Sequence, residues 1–194
     1  GYRDLFIHKG VNPSKLVVTG IPNFDDAGKY LNNDFPYRNY VLVATSSIRE
    51  TGKADDRIGF LRQVKKMAAG RKVLFRLHPN ENMERAEREI SRFLPDALIF
   101  KTGNTNHMIA NCDMLITQVS SVVFTGIALG KEVYSYHNLE ELIKLAPLQN
   151  GGTSALRIAD ECRKLLWSSL DEIRKTAPVR QPAWTPSWLP SGFE

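Results

Sequence analysis

The chain predicts an α/β fold: a Rossmann-like, three-layer α/β/α domain built on a parallel sheet of about six strands. Three observations carry this. Short β-rich runs alternate with helical patterns, the order that a parallel sheet with crossover helices requires. Several of those runs are apolar throughout, as strands buried on both faces are. Most of them end abruptly in polar loops.

The elements follow in order. Leu16-Val17-Val18-Thr19 is the first β-rich run, closed by Gly20-Ile21-Pro22. Tyr40-Val41-Leu42-Val43-Ala44 is wholly apolar and leads into Thr45-Ser46-Ser47. Between 58 and 69, Ile58, Leu61, Val64 and Met67 recur at helical spacing, and Gly70 stops the helix. Lys72-Val73-Leu74-Phe75-Arg76-Leu77 is the next strand, ending at His78-Pro79-Asn80 before a charged helix over 83–93. Ala97-Leu98-Ile99-Phe100, a helix over 104–111, Asp113-Met114-Leu115-Ile116-Thr117, a helix over 121–129 and Glu132-Val133-Tyr134-Ser135 complete the alternation.

After Gly151-Gly152-Thr153 the pattern turns helical, over 155–167 and 169–175. From Pro178 onward, Pro182, Pro186 and Pro190 exclude a long helix and predict an extended arm carrying Trp184 and Trp188. The expected organisation is an entry segment over 1–14, a nucleotide-binding domain over 15–177 and a Pro/Trp-rich arm over 178–194. Gly1 followed by Tyr2-Arg3-Asp4, with no initiator Met, reads as the start of an excised domain, so an N-terminal partner domain is expected.

Composition narrows the class. With 42% hydrophobic residues and a formal charge of +5 on 194 residues, the chain is globular rather than disordered. Basic residues alternate with acidic ones, and no Lys/Arg block with interleaved aromatics appears, which argues against nucleic acid as a partner. A mildly positive field suits a small anionic ligand. Cys112 and Cys162 form neither a disulfide framework nor a metal site, and both are expected to be buried thiols in a cytoplasmic setting. No apolar run is long enough to span a membrane, and no metal or cofactor is expected.

Ligands of open α/β sheets bind at the carboxyl ends of the strands, and three loops fall there. His78-Pro79-Asn80 is the first. Pro79 restrains the backbone and pushes His78 toward an extended conformation, so that the imidazole projects from the strand end. Thr117-Gln118-Val119-Ser120-Ser121 is the second, with Ser120 or Ser121 as N-cap beside unpaired N–H groups; a plain N-cap is the alternative. The third is Thr45-Ser46-Ser47-Ile48-Arg49, whose small hydroxyl residues admit a ligand and whose Arg49 can reach a phosphate or stay solvated. His137, after the last β-rich run, is a secondary candidate. His8 is expected to be exposed, and Glu140-Glu141 to begin a helix.

Strand-His-Pro-Asn, followed about forty residues later by Thr117-Gln118-Val119-Ser120-Ser121-Val122-Val123-Phe124, resembles the C-terminal half of GT-B-fold transferases. It is particularly similar to the CDP-glycerol glycerophosphotransferase and bacterial sialyltransferase groups, which share an HP and an SS motif. The entry at Gly10-Val11-Asn12-Pro13 through Thr19-Gly20-Ile21-Pro22 is also similar to that of UDP-N-acetylglucosamine 2-epimerases. The resemblance implies that His78 contacts the donor phosphate or nucleotide, that Ser120 and Ser121 hold the phosphates, and that the base stacks near Lys101-Thr102-Gly103-Asn104.

Two departures bear on chemistry. Transferases of the glycerophosphate type tend to carry Asp where Gln118 stands and an acid where Thr125 stands. Epimerases resemble Asp-Ser-Gly-Gly with paired Glu, where this chain has Ser120-Ser121 and Phe124-Thr125. The expected function is therefore the donor-binding domain of a glycosyltransferase-type enzyme of polysaccharide synthesis, weakly active or inactive without its partner. Its catalytic group is His78, and its donor is a nucleotide-activated sugar or polyol bound by His78, Asn80, Thr117, Ser120, Ser121, Ser46, Ser47, Arg49 and His137. The alternatives are an epimerase-like domain and a non-catalytic assembly module anchored through Trp184 and Trp188.

Overall fold

Five of the expected strands form. In a computed structural model describing residues 2–175, β1 (Val41–Ala44), β2 (Val73–Arg76), β3 (Leu98–Phe100), β4 (Met114–Thr117) and β5 (Glu132–Tyr134) build one sheet. All pairings are parallel, in the order β3-β2-β1-β4-β5. The helices are α1 (Tyr2–His8), α2 (Arg57–Ala68), α3 (Met83–Phe93), α4 (Thr105–Asn111), α5 (Val122–Ala128), α6 (Leu139–Leu145), α7 (Ser154–Trp167) and α8 (Leu170–Lys175).

Leu16–Thr19 is the exception. It pairs with no strand of the sheet, and Val17 and Val18 are 60% and 51% exposed. β-branched composition is not enough; a strand also needs a neighbour for its ladder and a core for its side chains. The expected arm over 178–194, with Trp184 and Trp188, lies outside the described residues.

The chain divides into two compact units. One holds residues 20–153, and therefore the whole sheet; the other is formed by residues 1–19 together with 154 onward. In the described part of the second, α1, α7 and α8 account for most of the chain. Cys162, on α7, is exposed rather than buried, because the apolar spacing around it does not form a covered face.

Within the sheet unit, the pleat of β1 divides the core. Val41 and Val43 pack with Phe60, Leu61 and Val64 of α2 and with Ala86 and Ile90 of α3. Leu42 and Ala44 face the other way, toward Met108 and Ile109 of α4 and Val122 of α5. That alternation makes three layers. Four consecutive β1 residues are buried, which is why the strand reads as an unbroken apolar run. Tyr40 is fully buried as well, and its hydroxyl is satisfied by donating to Met108 O at 2.6 Å.

The helices start and stop where their side chains allow. Asp56 accepts from Gly59 N at 2.9 Å and starts α2, while Asn82 and Asn104 do the same for α3 and α4. Helix α2 ends at Ala68, and its C-cap is Ala69, which itself takes a left-handed φ of 49° ahead of Gly70. Asn138 caps α6, which places Glu140 and Glu141 in the first turn, as the helix dipole favours.

Candidate functional site

The strand order reverses direction between β1 and β4, and that reversal opens a crevice at their carboxyl ends. β1 is followed by α2 on one face of the sheet and β4 by α5 on the other, so the two loops diverge there. Ala44 and Thr117 are register partners at the rim. Beyond them Ser46 joins the loops: its hydroxyl donates to Val119 O at 2.8 Å and accepts from Val119 N at 3.3 Å. A cleft of about 630 Å³ opens above, with Ser46, Ser47, His78, Ser120, Ser121 and Tyr136 on its walls.

Five of the expected residues thus share one cleft: Ser46, Ser47, His78, Ser120 and Ser121. The other four do not line it. Thr117 is fully buried at the end of β4, its hydroxyl oxygen without a hydrogen-bond partner. Arg49 is turned onto α3, where both terminal guanidinium nitrogens bond Glu89, at 2.9 and 2.7 Å, while Nε stands 3.6 Å from Asp55. Asn80 is exposed in the turn after His78, and His137 is exposed one residue beyond Tyr136. His8 is exposed as expected. Lys101 reaches Glu87 at 3.0 Å, and Asn104 is spent capping α4.

The serines after β4 differ from a simple cap. Helix α5 is two turns long; Ser121 occupies its N-cap position in a helical conformation and makes no side-chain capping bond. Ser120 accepts weakly from Val122 N, at 3.4 Å. The Ser121 hydroxyl therefore remains available at the rim.

His78 is held on both sides. Its backbone N–H donates to Thr45 Oγ1 at 3.0 Å and to Glu81 Oε2 at 2.9 Å. Its ring Nδ1 accepts from Asn80 N at 3.1 Å, which puts the ring proton on Nε2 and makes that atom a donor. Asn80 thus serves through its backbone.

Underneath lies a buried ionic cluster that the sequence did not announce. Arg57, 3% exposed, bonds Glu81 and stands 3.4 Å from Asp55. Glu81 also accepts from the Thr45 hydroxyl. Asp55 accepts from Gln118 Nε2 at 2.6 Å, and the same amide nitrogen lies 3.3 Å from the Tyr136 hydroxyl. Burial raises the Tyr136 phenol above its ordinary value, opposed by its bond from Gln118, so the group is neutral at physiological pH. Glu81 is compensated by Arg57, the Thr45 hydroxyl and the His78 N–H, whereas Asp55 Oδ2 has only the charges of Arg57 and Arg49, at 3.4 and 3.6 Å, and no hydrogen bond.

At the outer edge, the bond from Arg49 holds Glu89 below the usual carboxylate range. A carboxylate lowered by folding stabilises the native state above its unfolded value, and that contribution fades as pH falls through the folded one. The melting temperature of the wild type is therefore expected to drop more between about pH 6 and about pH 3 than that of Glu89→Gln, which has no such proton to gain. Thermal denaturation at both pH values checks it; equal drops would mean the pair contributes nothing.

A second cleft, of about 380 Å³, adjoins the first through Ser121. Phe24, Tyr30 and Lys29 form one side, and Asn106 and Thr125 the other. The Thr125 hydroxyl donates to Asn106 Oδ1 at 3.3 Å. No group of His, Cys, Asp and Glu side chains among the described residues has the arrangement of a metal site. No described helix is long and apolar enough to cross a membrane.

No protein-family model matches the chain, and no curated protein matches it. Solved structures do. The UDP-GlcNAc 2-epimerase from Neisseria meningitidis, bound to UDP-GlcNAc, superposes with a TM-score of 0.54 at 12% identity over 84% of this chain and 59% of that one. A Listeria monocytogenes protein assigned as a UDP-N-acetylglucosamine 2-epimerase gives 0.55 at 14% identity, covering 90% of this chain and 51% of that one. The fold is Rossmann-like, of the GT-B type that these structures share. The beta Kdo 2,7 transferase KpsC of Thermosulfurimonas dismutans matches 56% of this chain and 38% of its own at 14% identity, with a TM-score of 0.41. The chain spans little more than half the length of the two epimerase structures.

Proposed function

We propose that the crevice binds the phosphate end of a nucleotide-activated sugar or polyol, as the donor-binding domain of a glycosyltransferase-type enzyme. One observation carries the reading: His78, whose ring proton is on Nε2, lines a single cleft with Ser120 and Ser121 at the sheet's reversal point. Lys53 on the same wall adds a positive charge. These are hydrogen-bond donors for phosphate oxygens, and the His78 backbone and ring are held in place before the ligand arrives. The adjoining cleft, with Phe24 and Tyr30 beside neutral polar groups, suits a base and ribose.

On this reading His78 stabilises charge on the departing phosphate, and a partner domain supplies the acceptor and the general base. Epimerase chemistry is the lesser reading, because it calls for free carboxylates. The two on the cleft wall are engaged, Asp55 by Gln118 and Arg57, and Asp56 by the start of α2.

Thermal-shift titration with CMP, CDP, UDP and GDP tests the proposal. A ligand of the native state raises stability by about 2.7 kcal/mol at a hundred times its dissociation constant. A diphosphate is expected to raise the midpoint, and His78→Ala to weaken its affinity roughly ten- to a hundredfold. No shift with any of the four at millimolar concentration would sink the reading.

A further inference from the structure

We propose that Tyr136 is a further hydrogen-bond donor of the crevice, its hydroxyl aimed at the anionic oxygens of the ligand by a relay from Arg57 through Asp55 and Gln118. The inference rests on the phosphate-binding reading above and names a contact that the sequence motifs do not include.

The first link is electrostatic: Arg57 stands 3.4 Å from Asp55 Oδ2 without a hydrogen bond and holds the carboxylate charged. The next two have one permitted direction, since Asp55, with its side chain 1% exposed, can only accept. Gln118, fully buried, must therefore present Nε2 to it, at 2.6 Å, and the amide's second hydrogen points to Tyr136 Oη at 3.3 Å. The phenolic oxygen is the acceptor in that bond, so its own proton is free to be given elsewhere. Among the described residues, no acceptor takes it. Tyr136 is 49% exposed and lines the cleft that holds His78, Ser120 and Ser121.

The ring is fixed as well. Phe60 meets it edge-on, with centroids 6.1 Å apart and planes at 87°, and the Tyr136 backbone N–H donates to Gln118 O at 3.1 Å. The same Arg57 reaches the opposite wall through Glu81, which holds the His78 backbone. One buried guanidinium thus anchors both donors, Tyr136 Oη–H and His78 Nε2–H. The relay also accounts for an amide at 118: a carboxylate there would face Asp55 and could donate to neither partner.

A double-mutant cycle on the full chain, read by calorimetric titration with inorganic pyrophosphate, tests the proposal. Tyr136→Phe keeps the contact with Phe60 and removes the hydroxyl; affinity is expected to fall about tenfold. Gln118→Met removes the positioning amide and is expected to weaken binding in the wild type but to add nothing in Tyr136→Phe. A purely structural Gln118 would instead cost the same in both backgrounds, and that additivity would overturn the relay. Wild-type affinity in Tyr136→Phe would overturn the contact while leaving the phosphate-binding reading intact. Absence of pyrophosphate binding by the wild type would overturn both.

Discussion

Arg57→Met is expected to destabilise the protein by about 3–5 kcal/mol, the cost of leaving Glu81 buried without its cation and Asp55 with only Arg49, 3.6 Å away. Arg57 and the side chains of Asp55 and Glu81 are all 3% exposed or less, so water cannot replace the guanidinium. The packing of the methionine stem recovers little, because the loss is electrostatic. Removing the charges together should behave differently. Arg57→Met combined with Asp55→Asn and Glu81→Gln is expected to recover a large part of the loss, since neutral amides cost far less to bury. Urea denaturation of the wild type, the single variant and the triple variant measures this. If the single and triple substitutions lose equal stability, the cluster is held by packing rather than by charge.

That cluster marks the boundary of what the sequence discloses. β1 and β4 are legible because burial on both faces leaves an unbroken apolar run, and His78, Ser46, Ser47, Ser120 and Ser121 are legible because a strand end followed by small polar residues is a local pattern. Arg57 and Glu81 lie 24 residues apart, and Gln118 and Asp55 lie 63 apart. No spacing connects them; the sheet does, by bringing the loops after β1, β2 and β4 to one edge. Arg49 shows the converse. As a lone arginine after a strand it suggests a phosphate ligand, and only the position of Glu89 on α3 reveals its other partner.

Leu16–Thr19 and Cys162 were misleading for a related reason. β-propensity and helical spacing describe what a segment can do, whereas burial depends on whether another element comes to cover it. The crevice belongs to the sheet unit alone, so its assembly depends on how the helices seat on the strands.

The seating of α5 is the most exacting of these contacts, and Leu115→Ala is expected to disturb it at a cost of about 3–5 kcal/mol. Leu115 is fully buried at the centre of β4, directly under Gly126 of α5. A β-carbon at 126 would lie 2.8 Å from Leu115 Cδ2 and 3.0 Å from Val133 Cγ2, so glycine is what lets the helix approach this closely. Truncating Leu115 opens a cavity on one side of that contact, and Gly126→Ala overfills it from the other, at about 1–3 kcal/mol. The two changes are complementary in volume. Combined, they are expected to cost less than the sum of the single losses, by about 1–2 kcal/mol. Ser120 and Ser121 enter α5 immediately before Val122, so the same helix sets where their hydroxyls stand in the cleft. Chemical denaturation of both single variants and the double variant measures the coupling. Strict additivity would mean that α5 shifts bodily to absorb each change, and phosphate affinity would then fall in Gly126→Ala although residue 126 does not line the cleft.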